Sequence, residues 1–353
     1  MDIKTSYGLP LHDLFAFADG TRRVATAADW PGRRAELASL VQRALFGTLP
    51  PAPGVEPDVE SIFCPVWHPN HRQFLVYPFG ADDNFSLRVF VWVPQGGGPF
   101  PVIVDGDGCW SYMTPEARAQ LLGAGYAIAF FNRCEIVPDV PPADRSTRFQ
   151  RRFPGLDFGA IAGWAWGFHR VVDALPKFGM PLDMQRIVFA GHSRGGKASL
   201  LAGALDERAA IVTANGSGTG GAGCFRFCGE NAEPLDAMLD NFPTWFAPSV
   251  EAYRGRQQDL PFDHHMTKAL CAPRPLLLTE STDDRWANPA GCCITNRAAR
   301  EVYALLGRPA DTLGAHFRTG PHGHTAADWA ALLAFCDHHF FGKPAPYDFL
   351  IEE

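Results

Sequence analysis

Short, wholly apolar runs alternate along this chain with longer stretches in which apolar positions recur every three or four residues. The runs at 87–93, 101–104, 126–131, 186–190, 209–214 and 275–279 are rich in β-formers and bounded by turn residues, so they predict strands. Helical spacing predicts helices over 30–46, 160–175, 197–205, 297–306 and 326–339. Strand and helix in alternation give a mainly parallel sheet covered on both faces, a three-layer α/β sandwich. The 35 glycines and 30 prolines punctuate these segments instead of gathering into a linker. The expected organisation is therefore one domain over 1–353, with an N-terminal lead-in at about 1–85 and an insertion at about 220–268.

Composition narrows the function. Lys and Arg number 31 against 38 Asp and Glu, a formal charge of -7 that repels phosphate backbones and anionic lipid, so neither nucleic acid nor membrane is an expected partner. No apolar run approaches the about 18–20 residues of a membrane helix. The first residues carry Asp2 and no apolar stretch of a secretion signal, which as written points to the cytoplasm. Nine cysteines form no pair of CxxC motifs; neither a disulfide framework nor a zinc ribbon is expected, and most are read as buried thiols.

Gly191-His192-Ser193-Arg194-Gly195 falls between the run 186–190 and the helical stretch from 197. This is a G-x-S-x-G between strand and helix, the setting of a nucleophile elbow, where a turn too tight for flanking side chains lifts a serine hydroxyl above the sheet. The bare pattern also describes a glycine-rich turn with a capping serine. A serine needs a histidine to take its proton, and the histidine needs a carboxylate to fix its tautomer; in this fold class the chain order is Ser, acid, His. After the run 275–279 come Glu280, Asp283 and Asp284, and His322 and His324 lie in a Gly/Pro loop before the last helix. His322 is the expected base, with His324 its competitor. Arg194 offers a charged donor to an oxyanion, or is a surface arginine paired with a carboxylate. Lys197, one helical turn beyond Ser193, either binds substrate or snorkels over the helix.

The run Gly-His-Ser-Arg-Gly-Gly-Lys over 191–197 resembles the elbow of the glucuronoyl esterases, carbohydrate esterase family fifteen, an α/β-hydrolase family. Ser217-Gly-Thr-Gly-Gly221, Phe242-Pro-Thr-Trp-Phe246 and Ala272-Pro-Arg-Pro275 resemble further landmarks of it. The resemblance implies Ser193 as nucleophile, Arg194 as oxyanion stabiliser, His322 as base, and Lys197, Trp286 and Glu230 as sugar contacts. Many members carry the triad acid as a glutamate where this chain has Gly216; some bacterial members place an aspartate two residues before the pocket tryptophan, as Asp284 stands before Trp286. Asp284 is thus the expected acid, with Asp283 and Glu280 as fallbacks. His192 replaces the elbow cysteine of fungal members, which points to the bacterial branch.

The resemblance implies hydrolysis of (4-O-methyl-)glucuronic acid esters by a Ser-His-Asp acyl-enzyme route, with no cofactor or metal. The expected partner is a small-molecule or glycan uronate ester, and the chain is expected to act as a monomer. Family members are usually secreted or periplasmic. Two alternatives stand beside this: a general small-ester carboxylesterase or lactonase on the same scaffold, and a uronate-binding protein with little turnover.

Overall fold

In the computed structural model, which describes residues 6–68, 70–110, 112–140 and 145–350, nine strands of the described residues form one sheet. They are β1 (Asp58–Phe63), β2 (His71–Tyr77), β3 (Leu87–Trp92), β4 (Phe100–Asp105), β5 (Ala127–Phe131), β6 (Leu182–Ala190), β7 (Ala209–Asn215), β8 (Leu276–Ser281) and β9 (Leu313–Arg318). Their order in space is β1-β2-β3-β5-β4-β6-β7-β8-β9. The six from β5 to β9 are parallel to their neighbours, whereas β1, β2 and β3 are antiparallel and β3 joins antiparallel to β5. Parallel strands are covered on both faces and so read as unbroken apolar runs; β8 is buried at every position.

The helices are α1 (Trp30–Val41), α2 (Pro115–Gly123), α3 (Ala160–Ala174), α4 (Arg194–Leu205), α5 (Leu235–Asn241), α6 (His264–Ala269), α7 (Pro289–Leu305) and α8 (Ala326–Phe341). One core gathers side chains of α1, α3, α4, α6 and α7 on one face of the sheet. A second, smaller core holds α2 and α8 on the other, with Trp329 and Leu121 buried against Ile103, Val188 and Leu277. This is the three-layer arrangement that the alternating pattern predicts. Helix α3 is buried almost all round, as a helix between sheet and outer helices must be, and so is apolar on every face.

Several elements differ from the sequence expectation. The helix expected over 30–46 is α-helical only to Val41 and ends in a π-helical turn, Gln42–Phe46. Helix α7 begins eight residues before the expected 297, where Asn288 caps it by accepting from Gly291 N–H and Pro289 sits at its first turn. The lead-in is part of the sheet, since it contributes β1 and β2; its first five residues, with Asp2, and the chain's last three lie outside the described residues. The insertion holds α5 and most of α6, and Thr244 and Trp245 accept hydrogen bonds from the first turn of α3, which fixes the segment over the sheet's C-terminal edge.

Candidate active site

Strand β6 stops at Ala190 and α4 starts at Arg194, so three residues turn the chain through the elbow. Ser193 pays for that turn with φ 55° and ψ -120°, a strained conformation for a residue with a side chain. The surroundings hold it there. Ser193 N–H donates to Asn215 O (2.8 Å), Gly195 N–H to His192 O (2.8 Å) and His192 N–H to Asp107 Oδ2 (2.6 Å). Asp107, buried with its ion-pair partner Arg133, packs so closely that a Cβ at Gly195 would lie 2.0 Å from Asp107 Oδ1. The glycine after the serine and arginine is therefore a steric requirement. The N–H of Arg194, first in α4, has no acceptor among the described residues and is free for a ligand.

His322 follows β9 and Asp284 follows β8, both at the C-terminal ends of their strands, where open α/β sheets gather functional groups. His322 Nδ1 lies 2.5 Å from Asp284 Oδ2. The pair leaves the imidazole's other nitrogen for a proton-transfer partner. Asp284 is buried; the His322 side chain is 41% exposed. The two fallback acids do other things. Asp283 Oδ2 accepts from Gly320 N–H at 2.6 Å, and Ser281 Oγ donates to Gly320 O, so both tether the loop that carries His322. Glu280 is buried beneath the sheet edge, where desolvation pushes its pKa up to about 8. His324 stacks on Trp329 at 3.9 Å, and burial pushes its pKa well below the usual histidine range. His192 lies under His322, ring centroids 4.5 Å apart, with Nδ1 against Asn215 Oδ1 and burial holding its pKa down at about 3. Gly216, at φ 49°, faces the same imidazole: a Cβ there would sit 3.5 Å from His322 Nδ1.

Ser193, Arg194, Lys197 and His322 open together onto a cavity of about 220 Å³, walled by Trp245, Phe242, Trp286 and Glu233. Arg194 reaches into it between the faces of Phe242, Trp245 and Trp110, 4.7–5.3 Å from each, with Nη1 donating to Asp139 Oδ2 at 2.8 Å. Arg194 is thus paired with a carboxylate and also lines the cavity. Lys197 does not snorkel. It is buried, donates to Ser217 O (2.6 Å) and Thr219 O, and lies 4.0 Å from Glu233 Oε2; desolvation lowers its pKa to about 8. Trp286, 51% exposed, stands at the mouth.

Glu230 requires a correction. Its side chain is 85% exposed and pairs with Arg285 at 3.8 Å, outside the cavity. The carboxylate that lines the cavity is Glu233, whose backbone N–H donates to Trp286 O at 3.0 Å and turns this stretch inward. Asp139 was not read from the sequence either; it bridges Arg194 and Trp245 Nε1 (3.0 Å) across the chain. None of the nine cysteines is in a disulfide, and five of them are buried. Among the described residues no group of three or more His, Cys, Asp or Glu is placed to hold a metal ion, and no helix is long and apolar enough to cross a membrane.

Comparison with known proteins bears on this geometry. A family model described as glucuronyl esterase, fungi, matches residues 80–307. A carbohydrate esterase from an unidentified prokaryote is 38% identical over 199 residues, 52% of this chain and 45% of that protein. The 4-O-methyl-glucuronoyl methylesterase of Podospora anserina is 32% identical over 310 residues, 84% of this chain and 60% of that one. This chain thus spans less than two thirds of either relative's length. A family-15 glucuronoyl esterase from Caldicellulosiruptor kristjansonii superposes with a TM-score of 0.82 at 31% identity, covering 97% of this chain and 93% of that one. With an elbow serine, an Asp-oriented histidine and an arginine-lysine pair around one small cavity, and a family match that takes in all of these but His322, the chain belongs to the glucuronoyl esterase family.

Proposed function

We propose that this chain hydrolyses esters of glucuronic acid, including its 4-O-methyl form, through a covalent acyl-enzyme on Ser193. The observation that carries the reading is the meeting of Ser193, the His322–Asp284 pair, Arg194 and Lys197 on one cavity. Ser193 Oγ attacks the ester carbonyl while its proton passes to His322 Nε2; Asp284 holds the other ring nitrogen and stabilises the imidazolium. Negative charge gathers on the carbonyl oxygen, met by the Arg194 N–H and guanidinium. The tetrahedral adduct collapses, the C–O bond to the alcohol breaks, and His322 returns the proton to the departing oxygen. Water, deprotonated by His322, then attacks the acyl carbon and frees the uronic acid and Ser193.

The cavity supports a sugar acyl group and an alcohol outside it. At about 220 Å³ it is smaller than the about 300–1,000 Å³ of pockets that enclose drug-sized ligands. Lys197 and Glu233 are a buried donor and acceptor that suit sugar hydroxyls, and Trp286 is an apolar face at the rim. A bulky alcohol then remains in solvent.

Release of acid from benzyl glucuronate, set against p-nitrophenyl acetate hydrolysis and a binding titration of glucuronic acid, tests this. The reading expects kcat/KM on the glucuronate ester to exceed that on the acetate ester, with loss of both in Ser193→Ala. Preference for the acetate ester would make the chain a general carboxylesterase, and uronate binding without turnover would make it a binding protein.

A further inference from the structure

A second cavity, larger than the catalytic one, lies elsewhere on the molecule. A groove of about 950 Å³ lies at the opposite end of the sheet, between the β1–β2 turn, the end of β3 and the C-terminal end of α2. Its position follows from the strand register: Trp92, last in β3, pairs with Ile128 near the start of β5, and Phe100 opens β4, whereas Ser193 and His322 follow the far ends of β6 and β9. A parallel strand of six residues at about 3.3 Å per residue puts about 20 Å of sheet between the two ends.

The chemistry of the groove is specific. The Trp67 indole on one wall is 87% exposed. Opposite it, His71 stacks on Trp92 at 4.7 Å and 14°, and Arg118 lies over the Trp92 ring at 4.9 Å. Apart from that ring, the Arg118 guanidinium has no hydrogen bond or ion pair among the described residues. Among the described residues no carboxylate lines the groove; Glu116, nearby on α2, is exposed and outside it. The Arg118 cation lies beside flat aromatic faces, with the exposed Glu116 the acid that acts on it electrostatically, and so suits a ligand that is both ring-shaped and anionic.

We propose that this groove is a second glycan-binding site, taking a polysaccharide segment that bears free uronate groups. The Trp67 indole packs against a sugar ring, and Arg118 pairs with a uronate carboxylate. The site holds polymer about a sheet's length from the chemistry, so it anchors the enzyme on a glycan without competing for the catalytic cavity. It does not depend on the ester-hydrolysis reading, because binding is read without turnover.

Affinity electrophoresis in gels containing soluble glucuronoxylan, with uronate-free arabinoxylan as comparison, tests the proposal on the full chain. The expected result is retardation by glucuronoxylan that falls about tenfold in apparent affinity in Trp67→Ala and in Arg118→Gln, with the uronate preference lost in Arg118→Gln. Trp286→Ala, at the catalytic mouth, should keep the retardation. Unchanged melting temperature and hydrolysis of a small glucuronate ester in the two groove variants show that their folds are intact. Retardation that survives both groove substitutions or vanishes in Trp286→Ala overturns the proposal, as does an absence of retardation in the unaltered protein. A concentration-dependent dimer abolished by Trp67→Ala overturns it in favour of a second copy as occupant.

Discussion

Asp139 and Arg194, fifty-five residues apart in the chain, meet at 2.8 Å, and the second oxygen of the same carboxylate accepts from Trp245 Nε1 at 3.0 Å. One acid thus fixes both the guanidinium that lines the cavity beside Ser193 and the indole wall it packs against. The pair is only partly exposed, 21% for Arg194 and 12% for Asp139, so water does not readily replace it. Asp139→Asn leaves an amide where the guanidinium needs an anion, and the arginine loses its fixed direction. We expect kcat on a glucuronate ester to fall about 10- to 100-fold, about 1.4–2.7 kcal/mol in the barrier, with KM changed little. Steady-state kinetics check this; a rise in KM alone would place Arg194 in ground-state binding.

For the acid, Asp284→Asn should lower turnover by up to about 10⁴, the cost of losing the carboxylate that orients a triad imidazole. Asp283→Asn should stay within about tenfold, about 1.4 kcal/mol, because the asparagine oxygen can still accept from Gly320 N–H. His322→Ala should match Asp284→Asn or exceed it, whereas His324→Ala should act through stability, since it removes a ring stacked on Trp329. Turnover and melting temperature, measured on all four variants, separate the two classes.

Glu280 supplies a test by pH. Burial raises its folded pKa to about 8 from the ordinary 4.5. Between these values the folded chain binds a proton that the unfolded chain has released, so this group's contribution to stability is full below pH 4.5 and is lost as pH rises through 8. Glu280→Gln, which is neutral throughout, should melt like the unaltered protein at pH 4 and above it at pH 8. Melting temperatures across that range decide; parallel curves would mean that Glu280 is ionised in the fold.

Lys197 moves in the other direction. Its pKa is lowered from 10.5 to about 8 by desolvation, so its ammonium is lost above pH 8. If that charge grips the sugar, KM for a glucuronate ester should climb above pH 8 while KM for p-nitrophenyl acetate stays level, and Lys197→Ala should remove the difference. Stability has the opposite sign here: from pH 8 to 10.5 the unfolded chain holds the extra proton, so folding is favoured as pH rises.

How much of this was legible in the sequence depends on whether the determinant is local. The elbow is written in consecutive residues, 191 to 195, because the steric demand of the turn falls on them alone, and the central strands announce themselves because both faces are buried. Strands β1 and β2 do not: at the sheet's edge they mix polar and apolar residues, and β1 has no buried position. Helix α6 is six residues long, too short for a period, and carries His264, His265 and Lys268, whose burial depends on distant partners such as Thr295 and Asn296. The placing of Glu233, not Glu230, on the cavity wall has the same character. They lie three apart in an irregular stretch, and only the long-range bond from Glu233 N–H to Trp286 O decides which faces inward.

Gly216 carries a consequence for how such a site can change. It follows β7 as Asp284 follows β8, and neighbouring strands lie about 4.8 Å apart, so the two positions look at one imidazole edge from adjacent rails. A carboxylate added at 216 would set a second negative charge beside the first, and one of the two would take up a proton. A residue with a side chain at 216 would also have to take up φ near 49°, a left-handed conformation that favours glycine, so this chain leaves that imidazole edge to Asp284.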